Sequence, residues 1–556
     1  MPRRSRYLRR STALFTALSF IAFAVLTGPF VQVTRSLPIS KENLRTNPAD
    51  LDLLILHGKL VDGSGKKPRM ADVGIRDDRI AFVGDAAKAN LTAARTIDAK
   101  GLVIAPGFID PHTHTLGDLS DATRKSNQAY LMQGVTTVIT GNDGGSVLNI
   151  GETLAKWDKQ GIGTNAILLA GQGTIRGKIL GSTDAQPTSA QLEEMKTLVA
   201  REMDEGAYGL STGLYYAPGS YSKTEEVIEL AKVAAAKGGI YDTHMRDESS
   251  YSIGLLGSIE ETIRIGREAN IPVHISHIKA LGPEVWGQSK QAIKLIKKAR
   301  ARGVQVSACQ YPYTASGTSI QASLMPRWAE VGGRAEMLKR IDDQQIRPRL
   351  ISEMEVNLKR RGGADSLLIT GARDTTLIGK RLSEIAAARN EPPVEAALEL
   401  IRSGTVDVAS FNMSEKDIAR FMKQSFITTC SDGSSGHPRK YGTFPRKLRE
   451  YVYKQKLISL PFMVRNSSAL TAETFRIPER GLIREGYFAD IIIFDENTVA
   501  DRATYEQPEL LAVGMKFVIV NGKIAVENGE YTGVLAGRAL RKQGLPRPTT
   551  AAKAQR

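Results

Sequence analysis

Residues 101–115 read GLVIAPGFIDPHTHT: an apolar run followed by Pro111 and then by two histidines one residue apart. Side chains at i and i+2 of an extended chain face the same side. His112 and His114 can therefore converge on one metal ion just past a strand. Seven more β-rich runs follow: VTTVIT (135–140), NAILLAG (165–171), YGLSTGL (208–214), GIYDTH (239–244), PVHISH (272–277), VQVSACQYPY (304–313) and SFITTCS (425–431). Helical patterns lie between them, among them 188–205, 223–237 and 289–302, the first opening on Thr188 as an N-cap. Eight such βα units predict a (β/α)8 barrel of the TIM type over 106–475, with its chemistry at the C-terminal strand ends. The connection at roughly 318–420 is longer than one helix requires and predicts a small helical insertion late in the barrel.

Short strands and tight turns flank this α/β middle. DLLILHGKLVDGSG (52–65) and ADVGIRDDRIAFVGD (71–85) lie on one side, ADIIIFD (489–495) and KFVIVNGKIAVENGEY (516–531) on the other. Asp62-Gly63 and Asn521-Gly522 are turn signals within them. Residues 50–105 and 476–537 are thus expected to build one β-sandwich from both ends of the chain.

The chain has 556 residues, enough for a barrel with an accessory domain. Its net charge of +16 suggests a polyanionic partner until the charges are placed. Residues 1–36 hold six Arg and no acid, and residues 538–556 six Lys or Arg and no acid. Without them 63 basic residues face 59 acids, a net +4 over 37–537. With no basic stripe and no recognition motif in the body, a nucleic-acid partner is excluded. Arg3, Arg4, Arg6, Arg9 and Arg10 precede an apolar run from Ala13 to about Leu26, the pattern of an export signal or membrane anchor. An exported, periplasmic or cell-envelope protein is expected, touching membrane only through that segment if it is uncleaved. Residues 538–556 are expected to form a basic flexible tail. The two cysteines, Cys309 and Cys430, lie in strand-like runs and read as buried free thiols.

His244 and His277 both end strand-like runs and stand 33 residues apart, about one βα unit. At equivalent positions on adjacent strands they read as metal ligands. His274 falls on the opposite face from His277 and reads as structural, as does His57 in the sandwich portion. Asp143 follows the second barrel strand and Asp432 the eighth. An acid at a strand end beside a metal can be a ligand, a proton shuttle or both.

Taken together, PGFIDPHTH, the two strand-end histidines and the last-strand Asp resemble the amidohydrolase superfamily, and within it the D-aminoacylase (N-acyl-D-amino-acid deacylase) family. The strings that carry the resemblance are GLSTGLYYAPG (209–219), THMRDE (243–248), VHISHIKALGP (273–283), YPYTASGT (311–318), SDGSSGHPRKYGTFPRKL (431–448) and GLIREGYFADIIIFD (481–495). The resemblance implies one or two divalent metal ions, zinc in the first place. It implies His112 and His114 as a ligand pair, His244 and His277 as ligands of the tighter metal, and Asp432 as the catalytic acid/base. It further implies that Tyr216, Lys279, Ser316 and Arg439 hold the substrate carboxylate, the substrate being a small N-acyl-D-amino acid. Two departures stand out. Asp143 occupies the place of the family's Cys ligand, and a carboxylate is harder than a thiolate and can bridge two ions. The family's Gly-His-Gly is here Gly171-Gln172-Gly173. A cyclic-amide hydrolase of the hydantoinase or dihydroorotase type would need a Lys at the end of the fourth strand, and residues 207–219 contain none. A non-catalytic envelope binding protein would have no use for the four histidines and Asp432.

Overall fold

The computed structural model describes residues 51–542. The basic and apolar segment 1–36 and residues 543–556 lie outside the described residues. Eight parallel strands form the barrel: Phe108–Asp110, Val135–Thr140, Asn165–Leu168 continued by Ala170–Gly171, Gly209–Gly213, Ile240–His244, Val273–Ile275, Val306–Gln310 and Ile427–Thr429. They pair in that order, in two arcs. A parallel bridge between Thr113 and Gly433 joins the segments that follow the first and last strands.

The helices between strands form where amphipathic spacing and caps coincide. In Ser189–Asp204, Met195, Val199 and Met203 recur every fourth residue and are buried. Thr188 accepts from the Gln191 N–H while the Gln191 side chain accepts from the Thr188 N–H, a reciprocal capping box.

A nine-stranded sheet drawn from both ends of the chain covers one side, with Val103–Pro106 between Leu51–Leu60 and Ile491–Phe494. Its core holds Leu53, Ile55, Val73, Ile75, Ile491 and Ile493. The run GLVIAPGFID is thereby divided: Val103–Pro106 belongs to this sheet and Phe108–Asp110 to the barrel. Gly107 is the joint, where a Cβ would lie 2.2 Å from the Thr136 hydroxyl.

The insertion is more than helical. Ala315–Ser319, Leu367–Gly371 and Asp407–Phe411 make an antiparallel three-stranded sheet. Its helices enclose a separate core including Ile320, Leu350, Met354, Leu367 and Leu398. Small and polar strands such as ASGTS gain their extended form from that pairing rather than from propensity. The start of the expected free tail is also corrected. Arg538 C=O accepts from Ala166 N–H and Leu540 N–H donates to Ala166 C=O, so residues up to 542 run along the third barrel strand. Among the described residues no helix is long and apolar enough to cross a membrane.

Candidate metal centre and active-site cavity

His112 and His114 leave the end of the first barrel strand, Asp143 follows the second, His244 ends the fifth, His277 follows the sixth and Asp432 the eighth. Their side chains meet at one point. Asp143 Oδ1 lies 3.4 Å from His112 Nε2, 3.5 Å from His277 Nε2 and 3.7 Å from His244 Nδ1, and Asp143 Oδ2 lies 3.6 Å from His114 Nε2. Asp432 Oδ1 is 3.0 Å from His114 Nε2 and 3.6 Å from His112 Nε2. Asp143, His277 and Asp432 have φ of 56°, 32° and 50°, left-handed backbone in which non-glycine residues gather at functional sites. Gly213 lets the Asp143 loop approach, since a Cβ there would stand 2.2 Å from the Asp143 carbonyl oxygen.

The donor set fits a divalent cation. Both ring nitrogens of His112 and Asp143 Oδ1 are buried without a hydrogen-bond partner, a cost that a bound cation removes. Separations near 3.4 Å are the edges of a tetrahedron with bonds of about 2.1 Å. Two groups of ligand atoms are each compact enough for one ion: His112, His114, Asp143 and Asp432, and Asp143, His244 and His277. Asp143 is common to both.

A polar layer holds these ligands in place. Asp110 accepts from the His112 and Ser431 N–H groups, and Asp242 accepts from Asn142 and Ser276. Burial pushes both carboxyls up to about 7. Burial acts the same way on Asp432, but the Arg439 guanidinium at 2.7 Å, then His277 and His114, hold it well below the usual carboxylate range. His112 and then His277 and His244 likewise hold Asp143 low against its burial. Burial depresses His244 to about 3, whereas Asp432, Glu248 and Asp143 lift His277 to about 10 against burial and the Lys279 charge.

The cluster opens into a cavity of about 490 Å³ at the barrel mouth, walled also by the insertion. Tyr216, Lys279, Ser316 and Arg439 all line it. Lys279 Nζ donates to both Glu248 oxygens at 2.6 and 2.7 Å, so its charge already has a partner. The Tyr216 ring packs 4.7 Å from that of His244, and its hydroxyl is 3.4 Å from Thr318 Oγ1. Ser316 Oγ is 3.3 Å from Asn412 Oδ1. Arg439 keeps its buried Nε without a partner.

His274 is buried apart from the cluster, bonded to Ser307 at 2.9 Å and packed on Phe475. His57 is exposed on the sheet, 3.0 Å from Asp98. Gln172 donates to Ser222 and Glu226 and not to the cluster. The two cysteines are free and buried, and Cys309 Sγ accepts from the His277 N–H at 3.1 Å.

Several contributors escaped the sequence reading. Glu248, four residues beyond His244, braces His277 at 3.1 Å as well as Lys279. His437, inside a family string, bonds the Ala315 carbonyl and accepts from the Arg439 N–H. Tyr215, Tyr251 and Arg361 complete the wall.

A barrel with four histidines and two aspartates converging at its C-terminal strand ends has the architecture of a metal-dependent hydrolase. The chain belongs to the amidohydrolase family, whose model matches residues 95–526. It is 35% identical to the D-aminoacylase of Alcaligenes xylosoxydans xylosoxydans, over 88% of this chain and 97% of that one. It is 32% identical to the N-acyl-D-glutamate deacylase of the same organism, over 85% and 93%. The crystal structure of the Bordetella bronchiseptica N-acyl-D-glutamate deacylase, complexed with zinc and a phosphonate mimic of the tetrahedral intermediate, superposes with a TM-score of 0.76. That match has 30% identity and covers 89% of this chain and all of that one.

Proposed function

We propose that the chain hydrolyses the amide bond of N-acyl-D-amino acids to a carboxylic acid and a free D-amino acid, with zinc as the natural metal. The observation that carries this is the placement of Asp432 between the ligand histidines and Arg439 at the cavity floor. When bound, a divalent metal supplies Lewis-acid polarisation of the acyl carbonyl and a more acidic water. Asp432, kept ionised by Arg439, accepts the proton of the attacking water and passes it to the leaving amine. Arg439, through donors not used on Asp432, together with Ser316 and Tyr216, fixes the substrate carboxylate on one side of the cluster. Only one enantiomer then presents its amide to Asp432. The fourth barrel strand Gly209–Gly213 offers no lysine, which speaks against a cyclic-amide hydrolase. The Arg-rich and apolar N-terminal stretch supports action in the cell envelope, which fractionation of the native host checks.

The test is hydrolysis of paired N-acetyl-D- and N-acetyl-L-amino acids by the zinc-loaded protein. The D-series is expected to be cleaved at least 100-fold faster. Asp432→Asn is expected to lower kcat by about 10²–10⁴. Equal rates on both enantiomers, or full activity in the variant, would overturn the assignment.

A further inference from the structure

A third cation lines the cavity, contributed by the insertion. Arg361 follows the helix Arg347–Arg360 and is only 2% exposed. Its Nε donates to the Tyr251 hydroxyl at 2.6 Å and its Nη2 to the Tyr215 hydroxyl at 3.1 Å. Its Nη1 is buried with no hydrogen-bond partner. The other two cations of the wall are already matched, Lys279 by Glu248 and Arg439 by Asp432. Arg361 has no carboxylate within ion-pairing distance among the described residues. Asp407, an exposed acid of the same wall, is not its partner either. A buried guanidinium held only by tyrosine hydroxyls, with no carboxylate, bears a desolvation cost that an arriving anion offsets. Tyr215 stacks on His244 with ring centroids 5.7 Å apart, so Arg361 stands one aromatic ring away from the ligand cluster.

We propose that Arg361 receives a second carboxylate of the substrate, so that the preferred substrates are dianionic N-acyl-D-amino acids. This rests on the deacylase function proposed above. The first carboxylate is the α-carboxylate at Arg439. The second sits on the amino-acid side chain or on the acyl group, and one recognition chemistry serves both.

Two kinetic arms separate these sources. N-acetyl-D-glutamate is compared with N-acetyl-D-glutamine, and N-succinyl-D-leucine with N-succinamoyl-D-leucine. In one arm the dianionic member is expected to have at least tenfold higher kcat/KM, and Arg361→Gln is expected to abolish that ratio while changing the monoanionic member less than threefold. Arg361→Lys is expected to restore part of it. A structural tie between insertion and barrel would instead lower both members alike, and that result, or no charge preference in either arm, overturns the proposal.

Calorimetry with non-reacting ligands keeps the two ideas apart. D-glutamate against D-glutamine, or succinate against succinamate, must show at least tenfold tighter binding of the dicarboxylate, a preference that Arg361→Gln removes. If no N-acyl-D-amino acid turns over, the deacylase function falls while the anion site stands on this binding. Without such a difference the anion site falls, whatever the turnover.

Discussion

All four histidines of the cluster lie within 3.4–3.7 Å of an Asp143 oxygen. The sequence left Asp143 open between ligand and proton shuttle, in an Asn-Asp-Gly-Gly stretch that also has the composition of a turn. Its φ of 56° puts the turn in left-handed backbone, and that backbone delivers the carboxylate to the point where the four histidines meet. Asp143→Ala removes the atom common to both ligand groups. Metal analysis after gel filtration is expected to show a lower metal content and an affinity weakened by more than about 100-fold, exceeding the 10–100-fold typical of an outer-shell partner. Unchanged metal content would show that the histidines suffice. Arg361 was illegible for a different reason. In NLKRRGG it reads as one basic residue of a solvated helix end, and only the packing of the insertion on the barrel buries it.

At the scale of elements, the helix Ser189–Asp204 announced itself through Thr188 and its apolar spacing. What it does for its neighbour was not announced. Glu202, buried in its last turn, accepts from the Asn149 and Ile150 N–H groups, and Glu205 accepts from Gly151 N–H. These acids cap the helix Ile150–Gln160 that follows the Asp143 loop, pairing first-turn N–H donors that have no acceptor within their own helix. Thr188→Ala is expected to cost about 1 kcal/mol in denaturant unfolding. Glu202→Ala leaves buried donors unmade and is expected to cost about 2–3 kcal/mol. Equal losses would show that the inter-helix cap adds nothing. The insertion sheet was missed because ASGTS carries little strand signal alone, and its partners lie up to 96 residues away.

For the whole molecule, stability should carry a signature of the most deeply buried lysine among the described residues. Lys447 is 2% exposed, donates to Thr429 Oγ1 on the last barrel strand at 2.8 Å, and is depressed by burial to about 8. Below pH 8 it is protonated both folded and unfolded. Between about 8 and its ordinary 10.5 only the unfolded chain keeps the proton, so stability from this group rises with pH across that window. The unfolding free energy of the wild type relative to Lys447→Met is expected to rise by about 2 kcal/mol between pH 8 and pH 10. A difference that stays flat would show that the ammonium is solvated.

Periodicity and motif spacing by themselves determined the barrel, the two-ended β-sheet domain and the residue types gathered at the strand ends. These are local facts: alternation makes strands, 3.6-residue spacing makes helices, and eight such units close in one way. Tertiary structure alone decided which charges remain free. Lys279 and Arg439 looked like unencumbered cations in the sequence, yet each faces an acid, Glu248 and Asp432, brought to it by the fold. Arg361 has no distinguishing signal in its local pattern, yet it is buried in the cavity wall without a carboxylate partner among the described residues. Electrostatic partnership depends on distance and burial between residues remote in the chain, and neither quantity is written in local pattern.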